Sequence, residues 1–375
     1  MSQIKVLHVF KTYFPDTVGG VEEAIRQIIR SSSSFDIESR IFALSPNPNP
    51  SLICIDGIKI IRSKSWLSPA SCDLGGIDSF KKFNQQLDWA DIVNYHFPWP
   101  YMDLLKIFSQ NNKPSVLTYH SDIVKQKYLN KIYSPLLTQT LLSMDYIVAT
   151  SPNYARSSQV LNKKDFSDKI KVIPLGIEDH SQKSLNNENT LQKFDLLNKK
   201  FLLSLGALRY YKGLHNLVKA AKHINALVVI AGTGKEENNL KKLAKNEGAK
   251  NIIFTGYLHE DEKIALLKNC SLFVLPSHLR SEAFGMVLVE ALMFGKPLVT
   301  CDIKSGTSYV NKHNETGLVV EPNSSNALVK AITLILSNEN LKAKMQKLAR
   351  ARYEKLFSSK EVGESYSKLY KSIFK

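Results

Sequence analysis

Two glutamates stand eight positions apart in the run Glu282-Ala-Phe-Gly-Met-Val-Leu-Val-Glu290. Strand-like residues 272–276 and a polar loop at 277–282 come first. A helix is then expected from about Phe284 to Phe294, stopped by Gly295 with Pro297 beyond it. That helix is apolar on every face except at Glu290, and a helix apolar all round is buried. A carboxylate in such a place is unfavourable unless it is hydrogen-bonded. A ligand hydroxyl would serve, and so would a buried Arg or Lys. Glu282 falls in the loop, where it either meets a ligand or is solvated. The free amides of the first turn, near Phe284, Gly285, Met286 and Val287, combine with the helix dipole into a site for a diphosphate. One short segment therefore offers an anion cradle flanked by two carboxylates.

Other chemistries lack their residues. There is no G-x-x-x-x-G-K-[ST] and no H-E-x-x-H. The segment Gly232-Thr-Gly-Lys-Glu-Glu237 starts like a dinucleotide fingerprint but lacks its third glycine. The four cysteines, Cys54, Cys72, Cys270 and Cys301, have no C-x-x-C spacing, so a zinc site or redox pair is not expected, and free thiols in a reducing cytoplasm are. No metal site is expected.

The elements that position these residues are read from the apolar pattern. Strands are expected at 4–10, 38–43, 58–62, 92–95, 115–119, 146–150 and 171–174. After a polar stretch the rhythm restarts at 201–206, 227–232, 251–255, 272–276, 297–301 and 317–320. Helical segments fall between several of them, and residues 21–30 show helical spacing through Val21, Ala24, Ile25, Ile28 and Ile29. This alternation implies α/β domains with parallel, doubly wound sheets. A chain of 375 residues suits two of them. The expected division is a first domain at 1–177, a linker at 178–200, a second domain at 201–355 and a C-terminal helix at 356–375 that returns toward the first domain. Ligands of such sheets bind at the C-terminal strand ends, and the natural site for two domains is the cleft between them.

The net charge is +16. Residues 1–175 carry 20 basic against 15 acidic side chains, and residues 340–375 carry ten against three. A basic surface attracts nucleic acid, anionic lipid or a phosphorylated small molecule, although solvated lysines on helix faces are the plainer account. Nothing selects nucleic acid, for there is no zinc-finger spacing, RNP-like motif or Arg-rich arm. No apolar run approaches the ~18–20 residues that span a bilayer. The opening residues read as a first strand and not as a signal peptide.

The sequence around Glu282 and Glu290 resembles the E-x7-E motif of retaining glycosyltransferases with the GT-B fold, family 4 in particular, and the resemblance covers nearly the whole chain. Gly19-Gly-Val-Glu22 is similar to the family's N-terminal glycine loop, and His120-Ser-Asp122 to its His loop. Ile173-Pro-Leu-Gly-Ile-Glu178 resembles its I-P-N-G-V-D turn. Ser204-Leu-Gly-Ala-Leu-Arg-Tyr-Tyr-Lys-Gly213 resembles its S-x-G-R-L-x-x-x-K-G, Gly232-Thr-Gly234 its G-x-G, Thr255-Gly256-Tyr257 its base-side loop, and Asn314-Glu-Thr-Gly-Leu-Val-Val320 its N-G-x-T-G-L-V. Tyr119-His-Ser-Asp-Ile-Val124 and Gly306-Thr-Ser308 are nearest in wording to bacterial O-antigen transferases, including mannosyltransferases.

The resemblance implies two Rossmann-like domains facing a cleft and a nucleotide-sugar donor. GDP-mannose is the first choice and UDP-N-acetylhexosamines the next. It gives Glu282 the hydroxyls of the donor sugar and Glu290 those of the ribose. It gives Lys212 the diphosphate, where a fixed cation stabilises the leaving group. The family arginine falls on Ala207, and Arg209, two residues later, is the substitute. Gly19 and Gly20 let the backbone approach the donor. His120 meets the donor sugar near its C6 hydroxyl and the reaction centre. Gly232, Gly256, Tyr257, Ala283, Phe284, Gly285, Met286 and Val287 complete the donor-binding set. The implied mechanism is front-side attack without a protein nucleophile, the leaving phosphate taking the acceptor's proton, and with no metal or other cofactor.

The acceptor, a saccharide or a polyprenyl-diphosphate or other lipid-linked chain, is expected on the first domain. Its candidates are His96 and Tyr101 in the run His96-Phe-Pro-Trp-Pro-Tyr101, Asp122 (which could instead cap a helix), and the segment from Lys125-Gln-Lys127 to Lys131. The lysines suggest a cytoplasmic enzyme peripheral on the anionic inner leaflet. The competing readings are a GT-B sugar-nucleotide epimerase or phosphorylase and a non-catalytic sugar-nucleotide-binding or nucleic-acid-binding protein.

Overall fold

A computed structural model describes residues 3–69, 72–109, 113–123, 127–183 and 187–374. It divides into two compact units, residues 1–176 with 359–375, and residues 177–358.

The first unit runs β1 (Ile4–Val9), α1 (Gly20–Ser33), β2 (Ile37–Ser45), β3 (Leu52–Ile55), β4 (Ile58–Leu67), β5 (Leu74–Gly75), α2 (Ile77–Trp89), β6 (Ile92–Phe97), α3 (Tyr101–Phe108), β7 (Ser115–Tyr119), α4 (Lys127–Leu142), β8 (Tyr146–Ala149), α5 (Pro152–Ser157) and β9 (Ile170–Val172). The sheet order is β3-β4-β2-β1-β6-β7-β8-β9, with β5 beside β4. Every pairing is parallel except β3–β4 and β4–β5. Val6, Leu7, Val9, Ile92, Val93, Val116 and Leu117 are fully buried, as expected of strands covered on both faces. The sequence pattern missed β3 and β5, because short antiparallel edge strands, half exposed, carry no long apolar run.

The C-terminal helix, Ser359–Ile373, packs along α1. Gly363 permits the contact: a Cβ there would lie 2.0 Å from the Ser31 carbonyl oxygen. Tyr370 of the same helix accepts a hydrogen bond from Asn94 Nδ2 at 2.7 Å in the middle of the unit.

The second unit runs α6 (Asn187–Lys193), β10 (Phe201–Leu205), α7 (Leu214–Ala221), β11 (Leu227–Ala231), α8 (Glu237–Asn246), β12 (Ile252–Gly256), α9 (Glu260–Asn269), β13 (Leu272–Leu275), α10 (Met286–Met293), β14 (Leu298–Cys301), α11 (Thr307–Val310), β15 (Gly317–Val320), α12 (Ser325–Ser337) and α13 (Glu339–Leu356). All six strands are parallel, in the order β12-β11-β10-β13-β14-β15. The segment 178–200, expected as a linker, falls in this unit. Asp179 pairs with Arg350 of α13, and α6 lies on α9. Helix α13 is separate from the C-terminal helix, which was expected from residue 356 and starts at Ser359. The break falls at Phe357 (φ −124°), which is fully buried edge-on to Phe284 and Tyr309.

Among the described residues no helix is long and apolar enough to cross a membrane.

Candidate active site

In the second unit the C-terminal ends of β10, β11 and β12 each finish in a glycine at positive φ: Gly206 (+135°), Gly232 (+119°) and Gly256 (+70°). Their backbones stack closely. Gly232 donates to the Gly256 carbonyl at 2.8 Å, and a Cβ on Gly232 would lie 2.2 Å from the Gly206 carbonyl oxygen. Such strand ends clear a shelf that side chains would otherwise fill.

Lys212 reaches over this shelf. It closes a 3-10 turn, Tyr210–Lys212, that leads into α7 through Gly213 (φ +65°). No other residue suits position 213, because a Cβ would sit 2.1 Å from the Pro276 carbonyl oxygen. The Lys212 ammonium passes beside Gly206 and meets Glu282 Oε2 at 2.8 Å. Ser277 donates its hydroxyl to the same oxygen at 3.1 Å. Both partners of the ion pair are buried, at 7% and 8% exposure. Burial pulls the lysine toward neutrality, but the Glu282 carboxylate and the neighbouring Tyr211 more than offset it and leave the ammonium more basic than usual. Glu282 is thus neither solvated nor idle.

The helix α10 begins at Met286, two residues later than the sequence suggests. Gly285 takes a left-handed conformation (φ +82°) as its N-cap, so Phe284 lies outside the helix and is buried. Leu288 N is already bonded to Gly285 O, and Met286 and Val287 form the first turn, whose amides have no partner within the helix. Ala283 uses its carbonyl to hold Gly306 at 2.8 Å. Gly295 (φ +62°) ends the helix as expected. Glu290, half-buried on α10, pairs with Lys263 at 3.2 Å, and Lys263 also holds Glu260 at 2.9 Å. The Lys partner is one of the two possibilities the sequence left open. Arg209, Ala207 and Tyr257 are exposed, and Tyr257 lies edge-on to His259.

In the first unit, Gly19 is the N-cap of α1 and Gly20 its first residue. A Cβ on Gly19 would meet the Glu22 carboxylate at 2.5 Å, whereas one on Gly20 would meet nothing within 4 Å. His120 comes directly after β7 and is buried, its Nε2 3.0 Å from His96 Nδ1.

Three acceptor candidates have other employment. His96 is fully buried, and Tyr101 is buried with its hydroxyl 2.6 Å from Ser79 Oγ. Both belong to the core and do not present a surface to a sugar. The run that contains them is aromatic-rich, and the sequence does not reveal that Phe97 and Trp99 are also buried, each at 0% exposure. Asp122 accepts hydrogen bonds from Tyr119 Oη (2.9 Å) and Ser158 Oγ (2.6 Å), and its amide is bonded to Tyr154 Oη, so it ties the His120 loop down. Lys125 and Gln126 lie outside the described residues, as do the side chains of Lys127 and Lys131.

Sequence reasoning overlooked Ser277, Lys263, His8 and His278. The last is buried, packs edge-on against Tyr210 and His215, and has neither ring nitrogen hydrogen-bonded among the described residues. The position of Ser277 and His278 directly after a predicted strand was the available signal. Among the described residues, no group of three or more His, Cys, Asp or Glu side chains is placed to hold a metal ion.

The second unit thus brings together a glycine-ended parallel sheet, a buried lysine beside a loop carboxylate and a helix start. Comparison with known proteins identifies the family. Residues 18–181 match the family model "Glycosyltransferase Family 4", and residues 186–352 match "Glycosyl transferases group 1". The chain is 40% identical to the O-antigen chain mannosyltransferase C of Escherichia coli, over 99% of each chain. It is 40% identical to the D-rhamnosyltransferase WbpZ of Pseudomonas aeruginosa, over 95% of this chain and 93% of that one. Its fold is shared with sucrose-phosphate synthase from Thermosynechococcus elongatus (TM-score 0.79, 19% identity, 99% of each chain). It is also shared with Anabaena HepE in complex with UDP (TM-score 0.78, 17% identity, 98% of this chain and 100% of that one). The chain belongs to the family 4 glycosyltransferases, and its two Rossmann-like units are those of the GT-B fold.

Proposed function

We propose that this enzyme is a retaining, metal-independent hexosyltransferase of O-antigen assembly. It takes mannose from GDP-mannose and passes it to a saccharide or polyprenyl-diphosphate-linked acceptor on the cytoplasmic side of the membrane. The observation that carries this reading is the buried Lys212–Glu282 pair over the glycine shelf. Both groups are pre-positioned, and a diphosphate can draw the ammonium away from the carboxylate. Lys212 then neutralises the charge that develops on the leaving phosphate, while Glu282 accepts hydrogen bonds from sugar hydroxyls. The amides of Met286 and Val287 add fixed donors for the same anion. Glu290 takes the ribose hydroxyls, with Lys263 beside it at 3.2 Å. Arg209, exposed two residues from Ala207, supplements the cation. His120 serves the donor sugar near C6. The leaving phosphate accepts the acceptor's proton, so no protein base is needed.

A second reading, D-rhamnosyl transfer, rests on the name of the Pseudomonas relative. Rhamnose carries a methyl group where mannose carries the C6 hydroxyl, so the two donors separate at His120. The test is thermal shift against GDP- and UDP-sugars, in which a true donor at 100 times its Kd adds about 2.7 kcal/mol. Product analysis then gives the anomeric configuration, with chelator present. Nucleoside diphosphate released without acceptor, an inverted product or metal-dependent turnover would each overturn part of the proposal.

A further inference from the structure

Three imidazoles line one face of the first unit's sheet. His8 lies on β1, His96 on β6 and His120 just after β7, and these strands are neighbours. In register, His8 stands opposite Asn94 and His96 opposite Thr118, so each next histidine is two residues further along and on the same face. His8 Nδ1 is 3.0 Å from His96 Nε2, and His96 Nδ1 is 3.0 Å from His120 Nε2. The rings stack at 5.3 and 5.2 Å, nearly parallel. At the far end His8 Nε2 lies 3.5 Å from the Ser39 hydroxyl on β2.

Burial holds all three rings neutral, with His8 and His120 pushed down to about 3 and His96 well below its usual range. A neutral imidazole has one N–H and one lone pair. Each short contact needs one of each, so fixing one tautomer fixes all three. The chain has two self-consistent states. With protons on every Nδ1, His120 would offer a donor at the nitrogen that His96 does not engage. With protons on every Nε2, the chain ends as His8 N–H donating to Ser39 Oγ, and His120 offers a lone pair. A break between the two would set two N–H groups or two lone pairs against each other inside the protein.

We propose that His8 and His96 are positioning residues that lock His120 as the Nε2–H tautomer, so that its Nδ1 lone pair accepts a hydrogen bond from a hydroxyl of the donor sugar. The proposal rests on the reading of His120 as a sugar contact. A hydroxyl can meet either form, but the lone pair suits that place better, because the sugar gains positive charge as the bond to phosphate breaks.

Two measurements decide it. In [15N]histidine-labelled enzyme, long-range 15N–1H correlation distinguishes the tautomers. Nε2–H at His8, His96 and His120 is expected, and Nδ1–H or an even mixture at His120 overturns the lock. In kinetics, His96→Phe and His8→Phe are expected to lower kcat at least about tenfold, near 1.4 kcal/mol, with the donor KM changed less than about twofold. Wild-type kcat in a folded His96→Phe enzyme, with His120→Ala inactive, overturns the lock and keeps the reading of His120. Wild-type kcat in His120→Ala removes that reading itself. If the Phe variants do not fold, the spectrum of the unaltered enzyme still decides.

Discussion

The carboxylate of Glu282 has a lysine and a serine hydroxyl as partners in a place where neither ion can be fully hydrated. Glu282→Gln keeps the shape of the side chain but weakens its grip on sugar hydroxyls. It is expected to lower kcat/KM by at least ~10²-fold, measured with the donor identified by thermal shift. Near wild-type turnover would remove Glu282 from the donor site. Lys212→Ala leaves a buried carboxylate without its cation, and loss of one partner of a buried pair costs about 3–5 kcal/mol. Denaturant unfolding should show that loss in addition to the loss of turnover. A variant as stable as the parent would mean that water already reaches Glu282. At this scale the motifs pointed to Glu282, Glu290, Lys212 and His120, and the structure shows Lys212 paired with Glu282, Glu290 paired with Lys263, and His120 buried beside His96. The sequence was silent on Ser277 and Lys263, whose partners depend on how the loop and helices fold, and on His8, whose partner His96 lies 88 residues away on a neighbouring strand. It was misleading at Tyr101 and His96, where an aromatic-rich run hid the direction in which the side chains point.

Strands and helices were legible to within a few residues because buried parallel strands are continuous apolar runs flanked by glycine and proline. The end of α10 was readable from Gly295, but its start was not, since Gly285 caps it from a left-handed conformation instead of joining it. Helix α6 escaped notice because its polar sequence exposes most of its surface, Leu191 being its buried residue. The histidine row across β1, β6 and β7 has an element-level effect on stability. Its pKa values are lowered in the folded state, so the unfolded chain binds more protons between the ordinary value near 6.5 and about 3. Stability from this source is therefore present above pH 6.5 and is lost as the pH falls toward 3. Unfolding midpoints of the parent should drop below pH 6.5, and His8→Phe should flatten that slope. An unchanged slope would show that another group governs acid unfolding.

For the molecule as a whole, the charge of +16 and the excess of basic residues toward the C-terminus bear on where the enzyme works. Part of that charge is already committed within the protein, as in the pairs Lys342–Glu339 and Arg350–Asp179. The remainder supports salt-sensitive attraction to anionic lipid. Co-sedimentation with vesicles containing phosphatidylglycerol is expected at low ionic strength and should fade as salt rises. No binding even at low salt would place the enzyme free in solution and require an acceptor delivered to it.

The docking of the C-terminal helix on α1 sets an order of events during synthesis. Residues 177–358 are contiguous, and all of them are made before the C-terminal helix that the first unit needs. The first unit, although most of it emerges earlier, waits for the last seventeen residues, 359–375. Until they arrive, Ser31 and Asn94 lack the partners that Gly363 and Tyr370 bring. The part of the protein made first is thus finished last. A chain truncated before residue 359 leaves the face of α1 that meets this helix uncovered.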